Sequence, residues 1–94
     1  MKMGMAYPVN IPIQVFYETD ILGKVTPFLF KFRCEDQSVE RVPVLEILAR
    51  SDRNYAGVRE KQFVCSTQMG DRKRAVELRM NVDDQRWRIY QFLS

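Results

Sequence analysis

Phe28-Leu29-Phe30-Lys31-Phe32-Arg33 places a ring at every second residue, with Lys31 and Arg33 in between. Successive side chains of a strand point to opposite faces, so this run has a ring face and a cation-bearing face as a strand, and neither as a helix. The chain is therefore built from two-faced β-strands. The feature constrains the fold far more than the function.

Other segments follow the same period. Ile11–Glu18 sets Ile11, Ile13, Val15 and Tyr17 on one face. Thr26–Cys34 lines up Phe28, Phe30, Phe32 and Cys34, with Pro27, which has no N–H to donate, at a strand start or on an edge. Arg59–Thr67, Arg74–Asn81 (Val76, Leu78 and Met80 in phase) and Trp87–Leu93 complete the regular set. Val39–Ala49 is different: Val42, Val44, Leu45, Ile47, Leu48 and Ala49 do not alternate. Pro43 either marks a bulge in a bent strand or opens a short helix over residues 43–50. Val42 is a poor N-cap, which favours the strand. Polar stretches at 19–24, 35–38, 51–57, 68–73 and 83–86 read as turns and loops. The expected fold is mainly β: a small antiparallel barrel or roll of five to six strands, SH3-like or OB-like.

Ninety-four residues suffice for one domain. Residues 1–10 read as a loose arm and 11–94 as the β domain. With 46% hydrophobic and 29% charged residues the chain is neither disordered nor built to lie in a membrane, and its apolar runs fall short of a spanning helix. No leader-like apolar stretch follows Lys2, so the cytosol is the expected compartment. Cys34 and Cys65 are expected there as buried, reduced thiols.

The chain has no His, which removes the commonest general base and metal ligand. Phosphate-cradling Gly motifs are missing too. Asp83-Asp84 and Glu35-Asp36 read as turn formers, and Cys65 lacks a His to activate it. The expectation is a protein that is not an enzyme and carries no cofactor or metal.

What remains is surface chemistry. The net charge of +3 is mild, but Asp71-Arg72-Lys73-Arg74 is a dense basic cluster and ten of the fifteen cations are Arg, suited to bidentate grip on phosphate or carboxylate. On the last strand Arg88, Tyr90 and Phe92 share one face, and Trp87, Ile89 and Leu93 the other. With the Trp face inside, the first three form an exposed cation–aromatic stripe, the arrangement by which sheet surfaces hold single strands of DNA or RNA. Arg72, Lys73, Arg74, Arg86 and Arg88 are then the phosphate contacts and Tyr90 the stacking platform. A rival reading assigns the same aromatics to protein–protein contact or a homodimer covering Phe92 or Leu48, with Met1, Met3 and Met5 as an adaptable patch.

The order of features also resembles a small bacterial family of uncharacterised domains. The pieces that carry the likeness are Gly23-Lys24-Val25-Thr26-Pro27-Phe28, Val39-Glu40-Arg41-Val42 with Val44-Leu45-Glu46, Glu77-Leu78-Arg79 and Trp87-Arg88-Ile89, spread over about residues 12–93. The chain departs from the pattern after Glu46, where Ile47-Leu48 stands in place of a further Trp. The resemblance implies a β-rich fold and transfers no functional residue.

Overall fold

A computed structural model describes residues 8–94; the Met patch and most of the expected arm lie outside the described residues. Among the described residues every regular element is a strand: β1 (Ile11–Thr19), β2 (Val25–Arg33), β3 (Val39–Tyr55), β4 (Val58–Met69), β5 (Arg72–Asn81) and β6 (Trp87–Phe92). They close into an antiparallel barrel in the order β1-β2-β3-β4-β5-β6. No described helix is long and apolar enough to cross a membrane.

Two strands serve as corners. β1 pairs with β6 through Ile11, Pro12 and Ile13, and from Gln14 to Thr19 with β2. β3 pairs with β2 from Val39 to Pro43 and with β4 from Val44 to Tyr55. Residues 43–50 are thus strand, and Pro43 sits where β3 changes partner. β3 also runs on through 51–55, which the sequence reading took for loop, and returns at the two-residue turn Ala56-Gly57. Both turn residues have positive φ (53° and 83°), the hairpin geometry whose twist matches that of the strands. The turn after β4 is equally tight: Gly70 at φ 63° precedes Asp71, and Met69 pairs with Arg72.

The core is Val25, Phe30, Val42, Phe63, Cys65, Val76, Leu78, Met80, Trp87 and Ile89, with Ile11, Ile13, Val15, Tyr17, Phe32, Val44, Ile47, Met69 and Phe92 packed around it. Trp87 stacks on Phe63 at 5.5 Å between centroids and meets Tyr17 at 5.3 Å. Its indole N–H is buried with no acceptor among the described residues.

Inward positions do not keep strict period two, and bulges are the reason. Phe16 opposes Leu29 and Tyr17 opposes Pro27, leaving Phe28 as the extra residue of β2. Val25 and Pro27 are buried before it and Phe30 after it, whereas Phe28 is 52% exposed. Phe28 therefore does not join Phe30 and Phe32 inside. On β3, Leu45 and Leu48 are extra, so Val42, Val44 and Ile47 face the core at spacings that no simple alternation gives. On β6, Glu77 opposes Gln91 and Leu78 opposes Ile89, which makes Tyr90 the extra residue. Phe92 then packs against the core and Leu93 is exposed, the reverse of the sequence expectation. An inserted residue shifts the phase of everything beyond it.

Candidate interaction surfaces

The outer face of β4, β5 and β6 carries an ion network. Arg79 and Arg88 stand directly opposite each other. Glu60 neutralises both, accepting from Arg88 Nη1 at 2.5 Å and lying 3.6 Å from Arg79 Nη1. Glu77 accepts from Arg79 Nε at 2.7 Å and from Gln91 Nε2 at 2.8 Å, and only 5% of its side chain is exposed. Arg88 Nε donates to Asn10 Oδ1 at 2.8 Å, while the Val9 N–H donates to the Tyr90 carbonyl. Arg79 lies 3.5 Å above the Tyr90 ring. Removing one member of so dehydrated a cluster leaves a charge unpaired, at about 3–5 kcal/mol.

The residues assigned to phosphate and base contact therefore fall into separate settings. Arg72 and Lys73 are exposed at the β4–β5 turn. Arg86 is exposed beyond the far end of β5, about 30 Å away along the strand. Arg74 donates through Nε to the Ser94 carbonyl at 2.8 Å and covers the Phe92 ring at 4.6 Å. Arg88 belongs to the Glu60 network, and Tyr90, half-buried, has Arg79 over its ring. The fold does bring Arg79, Arg88 and Tyr90 together, but with Glu60 and Glu77 among them.

A second surface lies on β3. Once its pairing with β2 stops at Leu29↔Pro43, β3 has one ladder partner, β4, as far as Tyr55. The gap to β2 is spanned by a side chain: Arg50 Nη1 donates to the Val25 carbonyl at 2.8 Å, and Nη2 to Thr26 Oγ1 at 3.4 Å. Lys24, Val25, Arg50, Ser51, Asp52, Lys61 and Phe63 line a pocket of about 220 Å³ there. In a two-residue hairpin the closing pair, Tyr55 and Val58, bond to each other, and bonded and unbonded pairs then alternate. The backbone groups of Asn54, Asp52 and Arg50 consequently face away from β4.

Large apolar residues are exposed on this strand and in the β1–β2 turn. Leu45 and Leu48, extruded by bulges, are 50% and 52% exposed. Ile21 and Leu22 are 100% and 89% exposed in the β1–β2 turn, which Asp20 holds by accepting the N–H groups of Leu22 and Lys24. Those two backbone bonds, that from Lys24 foremost, hold the Asp20 carboxyl below its usual range. Sequence reading named Leu48 but missed Ile21, Leu22 and Leu45. Their signal was present as apolar residues inside a polar turn and as spacings of three inside a strand.

Of the acidic turn residues Asp36 and Asp84 act locally, whereas Asp83 accepts from Arg59 Nη2 at 2.8 Å. Asp36 accepts from the Ser38 N–H and hydroxyl, and Asp84 from the Arg86 N–H. Cys34 and Cys65 are free thiols, Cys65 fully buried and Cys34 half-buried beside Glu40. No family model, curated protein or solved structure matches the chain.

Proposed function

We propose that this protein is a non-catalytic interaction module that takes an extended protein segment as an added strand along β3. The carrying observation is the unpaired edge from Val44 to Tyr55, with the exposed Leu45 and Leu48 on the same strand. Strand addition draws affinity from main-chain hydrogen bonds and selectivity from side-chain contacts on alternate residues. Proteins usually guard such an edge with charge; here Arg50, Asp52 and Arg53 carry charge at its middle, while the residues extruded toward Val44 are leucines. A reducing cytosol suits the two free thiols.

Nucleic-acid binding retains the exposed Arg72 and Lys73, but Arg74, Arg88 and Tyr90 already have partners and Arg86 stands at the other end of the barrel. Two measurements separate these readings. Peptides selected from a display library are expected to bind the wild type and to lose binding to Asp52→Pro, which removes an outward N–H and leaves the β3–β4 ladder intact, with a thermal melt confirming the fold. A labelled oligonucleotide is expected to show no anisotropy shift at about 50 mM salt, where phosphate contacts are strongest. Peptides indifferent to Asp52→Pro, or an oligonucleotide shift that vanishes by about 200 mM salt, would overturn the assignment.

A further inference from the structure

We infer that the segment added to β3 is the β3 edge of a second copy of this chain, paired antiparallel about a two-fold axis at Ser51. This rests on the strand-addition reading and names its partner. The outward backbone groups belong to Arg50, Asp52 and Asn54, so productive registers set even-numbered residues against even-numbered ones. Charge then selects among them. A register centred on Arg50 or Arg53 sets a guanidinium against its own copy, and one centred on Asp52 does the same with carboxylates. Like charges directly opposite are destabilising. Centring on Ser51 sets Arg50 opposite the partner's Asp52, and by symmetry repeats the pair on the other side of the axis.

Past the charged middle the ladder stops at the Leu48 bulge, and the ends are apolar. Beyond Ala49 the partner chain runs toward its hairpin tip, alongside Leu48 and Leu45. That tip carries Tyr55 and Val58, 79% and 49% exposed. Each end of the joint sheet therefore sets extruded leucines beside an exposed Tyr and Val. Arg50 and Asp52 are both exposed; Lys61 of the same chain holds Asp52, and pairing draws the Arg50 guanidinium away from the Val25 carbonyl and Thr26 Oγ1.

Sedimentation equilibrium from micromolar to millimolar protein tests this with a charge exchange. The wild type is expected to dimerise. Asp52→Arg sets cation against cation and is expected to raise the dimer Kd by about tenfold or more. Arg50→Asp combined with Asp52→Arg restores opposite charges in this register alone and is expected to recover most of the loss. Thermal melts of each variant identify any that fails to fold, and Asp52→Asn, which removes the attraction without repulsion, supplies an intermediate Kd. A wild type that stays monomeric overturns the inference, as does a dimer indifferent to Asp52→Arg or a double variant no tighter than the single one. If display peptides still need the Asp52 N–H while the protein is monomeric, the strand-addition reading stands and only its partner is wrong.

Discussion

Cys65 shows how one residue takes its chemistry from its place. It is fully buried, and burial pushes its thiol from 9.0 up to about 12, offset in part by the Arg50 charge. The folded state therefore holds this proton more tightly than the unfolded chain does. The stability this gives is complete below the unfolded pKa and is lost as pH climbs from there toward the folded value, at up to about 1.4 kcal/mol per pH unit. Urea melts between about pH 9 and 11 are expected to fall more steeply for the wild type than for Cys65→Ala. Parallel slopes would show that the thiol carries no such linkage. The same burial makes Cys65 an inert thiol, consistent with a packing role.

At the scale of elements, period two made six strands legible and period shifts concealed their details. Phe28 and Phe30 share a parity, and parity alone sends both inside; the bulge at Phe28 keeps only Phe30 there. Phe30→Ala is accordingly expected to cost about 3–5 kcal/mol, and Phe28→Ala below about 1. Chemical denaturation of the two variants measures this, and equal losses would contradict the bulge. Trp87 and Ile89 were placed correctly because they precede the bulge on β6; Phe92 was misplaced because it follows one. β3 was read short because Ser51-Asp52-Arg53-Asn54 is polar, and a strand exposed on both faces leaves no hydrophobic pattern to read. The network around Glu60 was also out of reach. Its members come from different strands and meet only through register, so the Arg88–Tyr90 stripe looked free in sequence and is occupied in the fold.

For the whole molecule, topology divides the labour. β3, β4 and β5 form the long continuous ladders, and the charged network lies across β4, β5 and β6. The free β3 edge adjoins that network at Arg53, which pairs across the ladder with Glu60. Function on this reading is carried by the part of the sheet the barrel leaves over. The ring itself is fastened elsewhere, by the three residue pairs of β1 with β6. That short join is a clasp. Amides of Ile11 and Ile13 are expected to exchange with deuterium well before those of Cys65 and Val76. Uniform exchange would mean that the circle breaks everywhere at once. A clasp that opens on its own lets the barrel breathe without unravelling, so the first fluctuation away from the native state is expected to be an unbuckling beside β6, with the β3 edge still standing.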